Sequence, residues 1–270
     1  MSIRTPSNQI HSQLSNAELA DFLLGLTEIS RPIIAKWFRA DAQVETKVDA
    51  TPVTIADRSV ETALRSAIAE RFPGDDILGE EHDDQKGDGS TGYKWVIDPI
   101  DGTRAFISGK PIFGTLIGLI DGDKPVAGLC DMPMLDEVFI GVGDACHLNE
   151  NAIRTSVVTD IESARIATTS PDAFSKDGLA AFAKVSKRAA VTNYGGDCHN
   201  YALLAAGHID VVIEDSLAPH DIMGVVGVMQ SAGATVTDLA GQPITLSHSN
   251  SVLAAATAEL HMAVLALINN

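Results

Sequence analysis

The chain has 270 residues, 45% of them hydrophobic, and a formal net charge of −17. That length suits one large domain or two ordinary ones, with enough apolar residues for a sizeable core. The acidic balance argues against nucleic-acid and anionic-membrane surfaces, both of which need clustered Lys and Arg. No N-terminal charged start runs into an apolar segment, and no stretch has the length and apolarity of a membrane span. Cys130, Cys146 and Cys198 are odd in number and widely spaced, which makes neither a disulfide framework nor a zinc site. They read as buried thiols in a reducing compartment. The expectation is a soluble, cytoplasmic protein.

Ser15 and Glu18 form a capping-box pattern, and Leu19, Phe22, Leu23, Leu26, Ile29, Ile33 and Trp37 then recur at helical spacing. This predicts an amphipathic helix to about residue 38, kinked near Pro32. Residues 51–57 open a second helix, with Thr54 as N-cap and Asp57 at its third position, ended by Pro73-Gly74. A short strand at 76–78 leads into Gly79-Glu80-Glu81. Residues 82–92 are polar and Gly-rich and are expected to form a mobile loop over a site. Strands at 112–120, 126–130 and 138–142, with turns at Asp121-Gly122 and near Asp144, predict an antiparallel sheet. Beyond residue 153 the pattern alternates: strands at 164–168, 209–213, 234–238 and 252–256, helices at 172–186, 197–206, 221–232 and 259–268. That is an α/β arrangement. The expected division is 1–155, an α+β part, and 156–270, an α/β part.

The chemistry centres on Trp95-Val96-Ile97-Asp98-Pro99-Ile100-Asp101-Gly102-Thr103. An apolar strand delivers two carboxylates to its end, and Gly-Thr opens a short helix. Buried like charges repel unless a cation sits between them, and a divalent metal with oxygen preference is the simplest candidate. An Asx turn is the plain alternative. Asp57, Glu80-Glu81, Asp98 with Asp101, and Asp221 all fall at element ends beside Gly, Thr or Pro, where polar groups converge on a crevice. Taken alone, Asp57 reads as a capping acid. Together the acids offer oxygen ligands for two or three Mg²⁺ ions.

Gly79-Glu80-Glu81, Asp98-Pro99-Ile100-Asp101-Gly102-Thr103 and Pro219-His220-Asp221, in that order between about residues 47 and 241, resemble the inositol monophosphatase-like family of Mg²⁺-dependent, Li⁺-sensitive phosphatases. The resemblance implies an α+β fold, a layered αβαβα sandwich, and a homodimer. It implies that Glu80, Asp98 and the Ile100 carbonyl hold a first metal, and that Asp98, Asp101 and Asp221 hold a second. Thr103, linked to Asp57, would orient and help deprotonate the attacking water, with Glu80 also at the catalytic centre. Gly102 and Thr103 N–H groups would cradle phosphate, with Arg104 beside them. Glu81 and Asp49 would be secondary or third-metal groups. His220 stands where many relatives carry Trp.

Asp197 and Glu214 fall where the family contacts the alcohol part of its substrate. Inositol phosphatases usually carry a small uncharged residue at the first of these positions. Two acids there suit a cationic alcohol, and the segments from Asp101 to Phe106, 109–119 and Gly196-Asp197-Cys198 resemble the histidinol-phosphate phosphatase branch. Asp197 as a helix N-cap is the structural alternative. The implied activity is hydrolysis of the small phosphate ester L-histidinol phosphate. Inositol 1-phosphate or a 3′-phosphonucleotide is the runner-up, and a silent Mg²⁺-binding scaffold is the alternative of another class. A thiol nucleophile at Cys198 with His199 as base is disfavoured, since adjacent helix residues do not face each other.

Overall fold

The computed structural model describes residues 11–40, 44–46, 52–248 and 250–270. Asp49 lies outside them, as does the side chain of Thr54 with its expected capping role. Helix α1 (Asn16–Trp37) starts at the expected capping box. Ser15 Oγ accepts from the Glu18 N–H, and the Glu18 carboxylate accepts from the Ser15 N–H at 2.8 Å. Pro32 is carried inside the helix. Where the sequence suggested the opening of a helix, Pro52–Thr54 instead forms strand β2, paired antiparallel with β1 (Val44–Thr46). Helix α2 (Ile55–Arg71) follows directly.

Seven strands then build the larger sheet: β3 (Asp76–Gly79), β4 (Tyr93–Asp101), β5 (Gly114–Asp121), β6 (Lys124–Met132), β7 (Glu137–Val142), β8 (Ala145–Leu148) and β9 (Asn151–Ala152), in chain order across the sheet. The short helix α3 (Thr103–Ile107) interrupts them after β4. Only β3 and β4 are parallel; the rest is an antiparallel meander. Strands β8 and β9 were not expected, because four and two residues are too few to display a period of two.

The second half contributes β10 (Arg165–Thr168), α4 (Lys176–Ser186), β11 (Val191–Tyr194), α5 (Cys198–Ala205), β12 (Val211–Asp215), α6 (Pro219–Ala232), β13 (Thr235–Thr237), β14 (Ser251–Ala255) and α7 (Ala258–Asn269). The sheet order is β11-β10-β12-β14-β13. Strands β10, β11 and β12 are parallel, while β14 runs against both β12 and β13. The helix expected at 172–186 is split into a single 3₁₀ turn at Pro171–Ala173 and α4, which Ser175 caps by accepting from the Gly178 N–H at 3.0 Å. Strand β11 escaped the sequence reading because its residues are largely exposed and carry no apolar alternation.

Side-chain alternation sorts the layers. Trp95 and Ile97 of β4 share a core with Leu19 and Leu23 of α1 and Leu64 of α2. Val96, between them, turns the other way and packs with Met223 and Val226 of α6. In β12, Val212 joins that same central core, while Val211 and Ile213 pack outward with Phe182 of α4 and Leu260 and Val264 of α7. The result is α1 and α2, the seven-stranded sheet, α5 and α6, the five-stranded sheet, then α4 and α7: an αβαβα sandwich.

Helix α6 lies unusually close to the larger sheet. A Cβ on Gly128 of β6 would run into the Gly224 carbonyl of α6, and one on Gly227 would meet the backbone of Ala127. Backbone faces backbone, so no side chain can swing aside. Gly128→Ala is expected to destabilise the fold by about 1–3 kcal/mol through overpacking. Urea unfolding measures it, and a loss under about 0.5 kcal/mol would mean that α6 can retreat freely.

Candidate active site

The ends of β3 and β4 and the start of α6 meet beside the middle layer. The parallel register of β3 and β4 sets Gly79 opposite Ile97, so Glu80 leaves β3 next to Asp98. Asp98 shares the parity of Val96 and points to the middle layer, where Asp221 waits in the first turn of α6. Between Asp98 and Asp101 the pairing with β5 shifts register, and the buried Thr115 hydroxyl donates to the Pro99 carbonyl at 2.8 Å across the irregularity. Pro99 does not end the ladder: Asp101 pairs again, with Gly114. A bulge accommodates a residue that has no N–H to give.

Backbone donors hold one oxygen of each of the three aspartates. Asp98 Oδ1 accepts from the Ile100 N–H at 3.1 Å, and Asp221 Oδ2 from the Ala218 N–H at 2.7 Å. Asp101 Oδ2 accepts from the Cys198 N–H at 2.7 Å and so caps α5 from another part of the chain. One oxygen from each of the three carboxylates lies within 4.8 Å of the others. Glu80, Ile100, Gly102, Thr103 and Arg104 line the same cleft of about 560 Å³, and Asp197, Glu214, Tyr201, Thr168 and Thr169 also line it. Asp57 is buried in the first turn of α2; it does not line the cleft, but its charge reaches Asp98.

Burial holds the Asp98 carboxyl well above the usual range, and the charges of Glu80, Asp101, Asp221 and Asp57 push the same way. Asp101 is likewise raised, by burial and then by Asp197 and Asp221, against the hydrogen bond from Cys198. Bare, such a cluster is unfavourable. An all-oxygen donor set at this spacing fits a hard divalent cation, whose charge removes the repulsion.

Asp197 stands at the N-cap of α5 with φ 45° and ψ −135°, and its side chain makes no capping hydrogen bond. That work is done by Asp101. The Asp197 carboxylate instead lies against Gly102, where a Cβ would approach it to 3.2 Å. Gly102 itself has φ 85°, a conformation that favours glycine. Burial pushes the Asp197 carboxyl up to about 6, with Arg104 and Lys110 pulling it down. Glu214 Oε1 accepts from both the N–H and the hydroxyl of Thr169 at 2.7 Å, and its Oε2 accepts from the Tyr201 hydroxyl at 2.7 Å. Burial raises its carboxyl, and these three donors oppose the shift. Thr169 and Tyr201 were not singled out in the sequence; nothing but their places after β10 and on α5 marks them.

Two expectations are corrected. The 82–92 segment does not line the cleft. It folds back on β3: Gln85 pairs with Ile77, and Asp76 accepts from Lys86 Nζ at 3.2 Å and the Gly87 N–H at 3.0 Å. Its polar groups find partners on a sheet edge before they reach any site. The Thr103 hydroxyl donates to the Ile100 carbonyl at 3.1 Å rather than to Asp57, since the carbonyl three residues back is the nearest acceptor at a helix start. The structural alternative for Asp197, an N-cap, is not what its side chain does: it occupies the cap position without a capping hydrogen bond. Glu81 faces Arg58 at 3.7 Å, and His220 Nε2 lies 3.5 Å from Asp221 Oδ1 and 4.0 Å from Glu80 Oε1. Cys198 is buried against Met132 with its thiol raised, first by burial, while His199 pairs with Glu137 at 3.1 Å, so the two form no nucleophile and base.

This sandwich and its convergent acids define a class, phosphatases with an acidic centre for divalent cations. The chain belongs to the inositol monophosphatase family, whose model matches residues 15–270. It is 42% identical to the bifunctional phosphatase IMPL2, chloroplastic, of Arabidopsis thaliana, over 92% of this chain and 73% of that protein. It is 32% identical to the histidinol-phosphatase of Streptomyces coelicolor, covering 85% and 88%, and 32% identical to the inositol-1-monophosphatase of Bacillus subtilis, covering 84% and 92%. Among solved structures, an inositol monophosphatase from Zymomonas mobilis superposes with a TM-score of 0.85 at 34% identity, covering 95% of this chain and all of that one. Among the described residues no helix is long and apolar enough to cross a membrane.

Proposed function

We propose that this protein is a Mg²⁺-dependent phosphomonoesterase that hydrolyses L-histidinol phosphate to L-histidinol and phosphate, serving histidine synthesis. The observation that carries the reading is the convergence of Asp98, Asp101 and Asp221 in one cleft with Glu80. Glu80, Asp98, the Ile100 carbonyl, Asp101 and Asp221 would hold two or three Mg²⁺ ions. When bound, they would lower the pKa of a water and stabilise charge on the phosphoryl oxygens. Thr103, whose hydroxyl donates to the Ile100 carbonyl, orients the water, and the charge of Asp57 reaches Asp98. The N–H groups of Gly102 and Thr103 receive phosphate oxygens where α3 begins.

Asp197 and Glu214 receive the alcohol. Glu214 is locked by Thr169 and Tyr201 and serves as a fixed acceptor; Asp197 brings a second negative charge beside the phosphate end. A cationic amino alcohol complements that pair better than a neutral polyol, and relatives named histidinol-phosphatase agree with it. Inositol 1-phosphate is the second reading, favoured by relatives named for that substrate. A cytoplasmic location, Li⁺ sensitivity and a homodimer belong to this proposal; the three cysteines, all buried free thiols, suit a reducing compartment.

A substrate panel tests it. Phosphate release from histidinol phosphate is expected with Mg²⁺ and none with EDTA. Equal or faster turnover of inositol 1-phosphate would reject the substrate assignment, and full activity in EDTA would reject the metal chemistry as well.

A further inference from the structure

Glu80 sits on the short connection that leaves β3, inside the segment that the Ile77–Gln85 pairing closes. Helix α2 adds side-chain contacts to the backbone on either side of Glu80. Glu61 and Arg65, one turn apart, are 0% and 8% exposed and form an ion pair with Arg65 Nε donating to Glu61 Oε1 at 2.7 Å. Both partners reach past each other to the backbone around Glu80. Glu61 Oε2 accepts from the Glu81 N–H at 2.7 Å. Arg65 donates to the His82 carbonyl at 3.1 Å and to the Ile77 carbonyl at 3.4 Å. The pair therefore holds the chain before and after Glu80. Gly79 completes the fit, because a Cβ there would collide with Glu61 Oε1 and approach Arg65 Nη2 to 2.7 Å.

We propose that Glu61 and Arg65 are positioning residues that hold the Glu80 carboxylate in place for a divalent cation. The proposal rests on the reading of Glu80 as a metal ligand given above. A buried ion pair is a poor source of net stability, because desolvation offsets most of the attraction. Hydrophobic residues would fill the same space. What this pair supplies and they would not is one acceptor and several donors aimed at three backbone groups on either side of Glu80. Partners outside the direct ligands typically change metal affinity or activity by about 10–100-fold when removed.

The test uses the full-length protein and two independent lesions. Glu61→Gln keeps the side-chain shape but removes the charge. Gly79→Ala leaves both charges in place and drives them from the connection. Circular dichroism and thermal melting establish that each is folded; if Glu61→Gln is not, Gly79→Ala and Arg65→Lys carry the test. Mn²⁺ binding without substrate is read by electron paramagnetic resonance, and Mg²⁺ activation by phosphate release. The expected result is a rise of about tenfold or more in the Mn²⁺ dissociation constant and in the Mg²⁺ concentration for half activity. The rate at saturating Mg²⁺ is expected to stay within twofold, roughly the resolution of such an assay. Folded variants with unchanged Mn²⁺ affinity would overturn the proposal, as would loss of maximal rate with unchanged metal affinity. Glu80→Gln separates the two readings. If it leaves Mn²⁺ affinity unchanged, Glu80 is no ligand and the parent reading fails; if it weakens binding while the other variants do not, only the positioning role fails.

Discussion

Asp101→Asn is expected to lower kcat/KM by at least about a thousandfold, roughly 4 kcal/mol of transition-state stabilisation, the scale of losing a metal's charge from the reacting centre. The fold should persist, because an Asn oxygen can still accept the Cys198 N–H that Asp101 caps. Without metal the substitution should even help, and the sign can be followed. Burial and neighbouring acids raise the Asp101 carboxyl in the folded chain. The folded state then holds its proton more tightly than the unfolded state, so ionisation weakens the fold as pH rises from about 4. In EDTA the melting temperature of the wild type should fall relative to that of Asp101→Asn as pH is raised above that point. Mg²⁺ should restore the wild type and do much less for the variant. A gap between the two that ignores both pH and Mg²⁺ would remove Asp101 from the metal centre, and near-normal rates in the variant would do so directly.

Asp197→Asn is expected to cut kcat/KM for histidinol phosphate by about 10–100-fold, the worth of one charge-assisted hydrogen bond, while an aryl phosphate loses little. The side chain lies against Gly102 and makes no capping bond, so its loss should act on the alcohol rather than on α5. Its carboxyl, pushed by burial to about 6, predicts a pH signature. Below that value Asp197 is protonated and the cleft loses one negative charge. The wild-type preference for the cationic ester over the aryl ester should therefore grow as pH rises through about 6, and this limb should be missing in Asp197→Asn. The imidazole of the substrate titrates nearby, which is why the variant, rather than pH alone, is the control. Equal losses on both esters would make Asp197 a structural residue and return the substrate question to the panel.

The legible parts of the molecule are those set by local rules. The Ser15 and Glu18 cap, the meander from β5 to β7 and the Gly233 stop after α6 each follow from spacing within a few residues. The β8, β9 and β11 strands were not legible, since short or exposed strands exist only through their neighbours. The 82–92 segment was misread for a related reason: polar composition marks a loop but does not say which surface will supply its hydrogen bonds.

The sequence by itself determined which chemistry was on offer: carboxylates at four element ends, a Gly-Thr helix mouth, and a charge balance hostile to nucleic acids. Those are properties of residue type and of spacing along one segment. Only the tertiary structure decided how they combine, through the parallel register that sets Glu80 beside Asp98, the bulge that turns Asp101 toward α5, and the glycine contacts that bring α6 and Asp221 close to the sheet. The reason is that convergence is a long-range property. Asp98 and Asp221 meet because two layers pack, and no window of sequence contains both.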